Sequence, residues 1–483
     1  MPPFLELETF ATSEPVYRLL PFRFHALNDE REVLVNELGD FLLCPRGTAN
    51  RIVERNISTA DELYEDLVGS SFIAPLNSEP LIDIMAARYR ARKGFLDSFT
   101  ALHIFVITLR CNLSCHYCQV SRKTKDRSRY DMTRETVDRA LDHVFRSPSP
   151  DLTIEFQGGE PLVTFDMLKY AVEAALLRNE TAERNLKFVI CSNLSLLDAK
   201  ILEFCKLHHI LLSTSVDGPS WLHNANRPGE PAADANVVSR QIALAQSVLG
   251  HDRVAALMTT SKLSLGEPES IVDAYRELGL HRIFFRSLQP YGFAARLNER
   301  LTYSVDDFIT FYKRGLAYIL ELNKGGAEFV EEFASIILRK MFSPFPTGYV
   351  DLQSPTGLVT SVVAYNYDGT VHASDESRML AETGDMTFRL GLVSEPYENL
   401  FFGDAAQRFV SAGVNESLAG CADCGLQAYC GTDVVRNWAQ TRDLEGHRPT
   451  SSYCKTNMAI ITHLLELLDS DPQAAKILRN WAT

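Results

Sequence analysis

Residues 103–118 read HIFVITLRCNLSCHYC, and this stretch decides the fold. The run His103–Leu109 is apolar or β-branched almost throughout, the composition of a strand covered on both faces rather than of a half-exposed, alternating one. Three thiols follow at once, Cys111, Cys115 and Cys118, spaced Cys-x3-Cys-x2-Cys. A loop directly after a strand of a parallel sheet lies at the sheet's carboxyl end, where such folds place their ligands. Five more strand candidates come after it: Leu152–Phe156, Phe188–Cys191, Ile210–Ser215, Val254–Thr259 and Ile283–Leu288. Helical stretches separate them, at Thr133–Arg146, Phe165–Arg178, Asp198–Lys206, Val238–Val248 and Glu267–Leu278. Such β-α alternation predicts an α/β fold around a parallel sheet, either an incomplete β/α barrel or a doubly wound sheet.

Working outward, residues 1–100 have a different texture. FRFHAL and EVLVNELGDFLL predict short antiparallel strands around a turn, and Thr59-x-x-Glu62 has capping-box spacing before a helix, together a small N-terminal α+β domain. Residues 101–300 form the core, 301–341 two bridging helices, and 342–483 a loop-rich, cysteine-bearing tail that closes on a helix near Asn457–Leu468. The whole chain has 483 residues, with 48 Lys+Arg against 62 Asp+Glu (net −14), 46% hydrophobic and 23% charged. That composition excludes a disordered chain, and a net acidic surface without basic clusters argues against nucleic acid as a ligand. No stretch has the length of a membrane span, and MPPFLELETF lacks the basic start of a signal peptide, so the expected location is the cytoplasm. A reducing compartment shifts the reading of ten cysteines from disulfides towards metal or redox chemistry. Cys44, Cys191 and Cys205 stand alone in apolar surroundings and read as small buried hydrophobes.

A structural zinc at the first cysteine group would need a fourth ligand, for which His116 is poorly placed inside so compact a loop. The other arrangement is a [4Fe–4S] cluster held by three thiolates, with one iron open to a chelating small molecule. On these residues the chain resembles the radical S-adenosylmethionine (radical SAM) superfamily, which carries this spacing after the first strand of a partial (β/α)6 barrel. The resemblance implies that SAM binds the open iron and that one-electron reduction yields a 5′-deoxyadenosyl radical. It extends to Gly158-Gly159-Glu160-Pro161 after the second strand, a glycine-rich turn beside the methionyl ammonium in the family. It includes Ser192-Asn193 after the third strand, and Ser215 with Asp217 after the fourth, the acid suited to ribose hydroxyls. Arg227 resembles a position near the SAM carboxylate.

The tail has Cys421-x2-Cys424-x5-Cys430, with Cys454 following, four thiols that suit a closed zinc or iron–sulfur site. Beside a radical SAM core it resembles the SPASM extension of peptide-modifying enzymes, which carries two auxiliary clusters. Ser354, Ser374 and Val434 stand where that pattern has cysteines, all three ligands of one cluster, so the resemblance implies a single auxiliary [4Fe–4S] cluster on the four cysteines present. Asp375, directly after Ser374, is a candidate base, by analogy with an acid in sulfatase-maturing relatives; a solvated turn acid beside Glu376 and Arg378 is the other reading.

Over the whole chain the resemblance is to maturases of the His-Xaa-Ser peptide system. It implies a ribosomally made precursor peptide with His-x-Ser repeats, oxidoreductase-type hydrogen abstraction, an electron donor such as flavodoxin or ferredoxin, and a second maturase as a further partner. The N-terminal sheet fits that role if an exposed edge, sought around Glu32–Leu43, adds an extended leader strand. Radical chemistry on a small metabolite and a non-catalytic metal scaffold are the competing functions; intact GGEP and SVDGP segments speak against the scaffold.

Overall fold

The computed structural model describes residues 16–482 apart from 77, 121, 124–125, 230–233, 290 and 292–302. Its strands are β1 (Tyr17–Leu19), β2 (Phe22–Ala26), β3 (Arg31–Asn36), β4 (Phe41–Pro45), β5 (Ile73–Pro75), β6 (Leu102–Thr108), β7 (Asp151–Gly158), β8 (Asn185–Cys191), β9 (Leu211–Ser215), β10 (Val254–Leu257), β11 (Arg282–Ile283), β12 (Val330–Glu331), β13 (Val362–Tyr365), β14 (Thr370–His372) and β15 (Arg389–Leu392). An eight-stranded sheet runs in the order β10-β9-β8-β7-β6-β13-β14-β15. From β6 to β10 it is parallel, and each strand lies beside its neighbour in sequence. A monotonic order with right-handed crossovers puts all the connecting helices on one face. The sheet is therefore singly wound, a partial β/α barrel, and the doubly wound alternative falls. Three of the crossover helices start where the sequence supplies a capping side chain: Thr133 accepts from Thr136 N, Asp198 from Ile201 N and Asp234 from Asn236 N.

The expected sixth strand is reduced to two residues, Arg282–Ile283, which pair with β12 and not with β10. Beyond them the backbone is drawn to a buried side chain: Glu331 accepts Phe285 N at 3.1 Å, Tyr312 Oη at 2.6 Å and Ala334 N at 2.7 Å. The apolar run to Leu288 is thus core without being strand. The barrel sheet also crosses the expected boundary at 342, because β13 pairs in parallel with β6 and carries β14 and β15 with it. Tyr365 on β13 is fully buried against Phe105 (ring centroids 5.2 Å apart), with its hydroxyl 3.2 Å from His103 Nδ1.

The N-terminal sheet has the order β2-β3-β4, so Glu32–Asn36 is the centre of the sheet and not its edge. Edge β2 is covered by the second cysteine segment, where a side chain at Gly425 would stand 2.4 Å from the Phe24 carbonyl; β4 is the opposite edge. The expected capping box at Thr59 and Glu62 does not form. The helix there is Tyr64–Gly69 with no side-chain cap, and Asp61 Oδ1 accepts Leu63 N at 3.1 Å to set the preceding turn. The bridging helices are Val305–Lys324 and Glu332–Phe342, and the tail ends in Ser452–Ser470 and Pro472–Trp481 packed on them. Among the described residues no helix is long and apolar enough to cross a membrane.

Because β13 and β6 share one sheet, tail and barrel should unfold together. Tyr365→Ala is expected to destabilise by about 3–5 kcal/mol, moving a single denaturant transition followed by fluorescence and circular dichroism; a shift in only one of two separate transitions would contradict the shared sheet.

Candidate functional site

A cavity of about 230 Å³ opens at the carboxyl ends of β6–β10, and Cys111, Cys115 and Cys118 all line it. The cysteine loop is tied down on two sides. Ser114 N donates to Pro228 O at 2.9 Å and His116 N to Asn226 O at 3.2 Å; Asn112 Nδ2 donates to Ser195 Oγ at 2.7 Å. At its root, Arg110 makes a bidentate pair with Asp131 at 2.7 Å through both contacts. Burial pushes the Cys111 thiol up to about 12, with Glu160, Cys115 and Cys118 adding to the effect, and it raises Cys115 as well. A bound cation reverses that preference, because coordination needs the thiolate.

Gly158 and Gly159 form the floor beside this loop. A Cβ on Gly158, whose φ is +151°, would lie 2.0 Å from the Thr108 carbonyl oxygen, and one on Gly159 would lie 2.2 Å from that of Arg110. In their place run two backbone bonds, Gly159 N to Thr108 O and Glu160 N to Arg110 O, each 2.8 Å. The glycines are needed for contact between two chain segments, whatever ligand lies above them.

Glu160 points away from the cavity. Its carboxylate accepts Leu162 N (3.0 Å), Ser192 Oγ (2.8 Å) and Asn193 N (2.8 Å), so it fixes the Ser192–Asn193 turn from behind. Asp217 is also out of reach of a ribose: it is fully buried, accepting Tyr117 Oη at 2.5 Å and Arg227 Nε and Nη2 at 3.1 and 3.2 Å. Ser192, Asn193, Ser215 and Arg227 do line the cavity, Arg227 with its guanidinium 5.2 Å from the Tyr117 ring. Glu160 and Asp217 thus act one layer back.

Asp375 enters the same cavity from the tail, at the first turn of the helix Asp375–Ala381, which Ser374 caps in a reciprocal box with Ser377. Fully buried Arg378 holds its carboxylate at 2.9 Å and donates to Val120 O on the cysteine loop at 3.3 Å, so the acid is fixed and not a freely solvated turn residue. Sequence reasoning gave no role to Tyr117 or Arg378, and it misplaced Cys191. Cys44 and Cys205 are buried as expected, but Cys191 lines the cavity, its thiol raised well above the ordinary value by burial and then by Glu155. The signal was available: Cys191 is the last residue of its strand, directly before Ser192.

In the tail, burial raises Cys421, Cys430 and Cys454, with further raising from neighbouring thiols of the same group, and pushes Cys430 up to about 12. Cys430 lies 3.7 Å from Asn457 Nδ2, and Cys454 sits in the first turn of its helix, its N–H donated to Ser451 Oγ at 3.2 Å. Among the described residues no three His, Cys, Asp or Glu side chains converge on a single-ion site. A cubane asks for a wider spread, since each thiolate takes a different iron, and both thiol groups have the donor chemistry for one.

Asp217→Asn tests the placement of that acid. Leaving Arg227 buried without its counter-charge should lower the stability of the SAM-free protein by about 3–5 kcal/mol, read from denaturant unfolding. Unchanged stability with weaker SAM binding would instead make Asp217 a ligand contact.

Residues 105–235 match the Radical SAM superfamily. The cysteine-type anaerobic sulfatase-maturating enzyme of Clostridium perfringens is 30% identical over 122 residues, 24% of this chain and 32% of that protein. The radical SAM cyclopropyl synthase TigE of Paramaledivibacter caminithermalis is 24% identical over 150 residues, 28% of this chain and 31% of its own. The chain thus spans about a third of the length of these relatives. Among solved structures, native anSMEcpe with bound AdoMet superposes with a TM-score of 0.64 at 17% identity, covering 78% of this chain and 99% of that one. Streptococcus suis SuiB bound to its precursor peptide SuiA gives 0.54 at 14% identity, covering 91% and 100%. The fold is that of these structures, and residues 105–235 are the part of the chain that is similar to the Radical SAM superfamily.

Proposed function

We propose that this protein is a radical SAM enzyme that modifies a ribosomally made peptide. The observation that carries the reading is one shared cavity: three thiols on the loop after β6, the Gly158–Gly159 turn, and an acid delivered from the tail on the opposite wall. Cys111, Cys115 and Cys118 would hold the cluster, leaving an iron for SAM; together they would supply reductive cleavage and a hydrogen-abstracting radical. Ser192, Asn193, Ser215 and Arg227 would orient SAM, Arg227 as the cation for its carboxylate. Glu160 and Asp217 would keep those contacts in register. Asp375, fixed by Arg378, would take the proton released as the substrate is oxidised.

Cys421, Cys424, Cys430 and Cys454 would hold the auxiliary cluster. Around the substituted positions the chain has built polar contacts: Asn415 N donates to Ser354 Oγ at 2.9 Å, and Ser374 caps a helix. A peptide substrate is supported by SuiB, which shares the fold and was solved with its precursor peptide. Residues 1–100 would take the leader, now through β4. The narrower reading, a His-Xaa-Ser repeat peptide with a flavodoxin- or ferredoxin-class donor and a partner maturase in the cytoplasm, rests on sequence resemblance.

The anaerobically reconstituted chain should bind about eight irons, two cubanes of four, and form 5′-deoxyadenosine with dithionite and SAM. Replacing Cys111, Cys115 and Cys118 by Ala should abolish that product. Cys430→Ala should leave about four irons and retain SAM cleavage. Asp375→Asn should also retain cleavage but lose product formation on a co-expressed peptide, read by intact mass and by deuterium uptake. Failure of the wild-type chain to cleave SAM would overturn the proposal.

A further inference from the structure

Beyond the third cysteine the chain is fastened to the tail at two points. Val120 O accepts Arg378 Nη1 at 3.3 Å, and Lys123 Nζ lies 3.2 Å from Glu382, at the end of the same helix. The backbone returns to the barrel there, Lys123 N donating to Leu109 O at 2.9 Å. Gln119 and Arg122 therefore line the main cavity on the side that the tail helix closes, where Asp375 also stands. Arg227 comes from the other side of the cysteine loop. Asp217, after β9, holds its guanidinium, and the adjoining Asn226 O takes His116 N.

Both residues on the tail side carry a donor with nothing to donate to. Arg122 Nε and Gln119 Nε2 are buried without a hydrogen-bond partner, although each side chain lines the cavity. Nearby acids are engaged elsewhere. Asp375 takes Arg378 at 2.9 Å, Glu376 has Arg286 at 3.7 Å, and Glu155 accepts Gln157 Nε2 at 2.6 Å. A buried donor without an acceptor costs free energy that a ligand recovers by bringing one.

The donors define that ligand. A guanidinium can only donate, through a planar fork that matches a carboxylate, and the Gln119 amide can turn its NH2 towards the same oxygens. SAM has a single carboxylate, for which Arg227 is the cation on the other side. A second acceptor group must then come from the substrate.

We propose that Gln119 and Arg122 bind a carboxylate of the peptide substrate and so set which residue lies beside Asp375. The inference rests on the peptide-modifying reading above and narrows it: the substrate carries an acidic group, on a side chain or at its carboxy terminus, close to the position that is modified.

The test uses the anaerobically reconstituted full chain, saturated with SAM, and three probes. N-acetylglutamic acid α-amide presents a side-chain carboxylate, N-acetylglutamine a terminal one, and N-acetylglutamine amide neither. A saturable rise in melting temperature of about 2 °C at tenfold excess over Kd is expected with a carboxylate probe, and none with the neutral amide or with sodium chloride. The tighter of the two carboxylates identifies its source. Arg122→Met should weaken that probe about tenfold or more, and Gln119→Leu severalfold. The Kd for SAM, measured by equilibrium dialysis, should stay the same in Arg122→Met and rise in Arg227→Met. Equal shifts with the neutral amide, no shift with any probe, or undiminished binding in Arg122→Met would overturn the proposal. So would a loss of SAM affinity in Arg122→Met as large as that in Arg227→Met, which would give these donors to SAM. The comparison of carboxylate with amide on the wild-type chain decides the matter even where a variant does not fold. Formation of 5′-deoxyadenosine separates the two levels: cleavage without carboxylate binding removes only this inference, whereas a wild-type chain that does not cleave SAM removes the functional reading.

Discussion

Two backbone hydrogen bonds between the ends of β6 and β7 set the geometry of the whole site. Gly159 N to Thr108 O and Glu160 N to Arg110 O form only because neither glycine carries a Cβ, which would stand 2.0–2.2 Å from a carbonyl oxygen. That contact fixes the start of the cysteine loop against the turn that leads to Glu160. Glu160 in turn fixes Ser192 and Asn193, the end of the next strand's turn. Three consecutive loops of the barrel are thereby locked to one another by buried, fully accepted polar groups, the kind of network that holds side chains in one arrangement before a ligand arrives.

The tail completes this site from the other side. Since β13 lies beside β6, the helix bearing Asp375 is carried into the cavity on the same sheet that carries the cysteines. Arg378 closes the arrangement, touching both the acid and the cysteine loop. The second thiol group is braced likewise by distant chain: β2 packs against Gly425, and His25 lies 3.0 Å from Thr462 on the helix Ser452–Ser470 that carries Cys454. N-terminal sheet, barrel and tail are therefore mutually supporting layers around two sets of cysteines.

Much of this was legible in the sequence where local rules govern. Continuous apolar runs marked β6–β10, and Thr133 and Asp198 marked helix starts through their side chains. The cysteine spacing singled out Cys111, Cys115 and Cys118, and the structure places all three on one cavity. What the sequence hid depended on distant partners. The sixth strand stops early because Glu331, far along the chain, takes the Phe285 N–H. Asp217 reads as a ligand acid until Tyr117 and Arg227 are seen to fill its oxygens. Cys191 reads as a buried hydrophobe because its exposure to the cavity is set by three neighbouring loops. The capping box at Thr59 is absent because the helix begins five residues later, at Tyr64, after a turn set by Asp61 Oδ1 accepting Leu63 N.

The central claim is that three thiolates leave one iron free for SAM. It is tested most directly by electron–nuclear double resonance on the reduced, anaerobic protein mixed with SAM labelled with ¹⁵N at the amino group and ¹⁷O at the carboxylate. The account predicts hyperfine coupling of both labels to the cluster, lost when Cys111, Cys115 and Cys118 are replaced. An unaltered spectrum, or a coupling showing a protein side chain on the fourth iron, would contradict it.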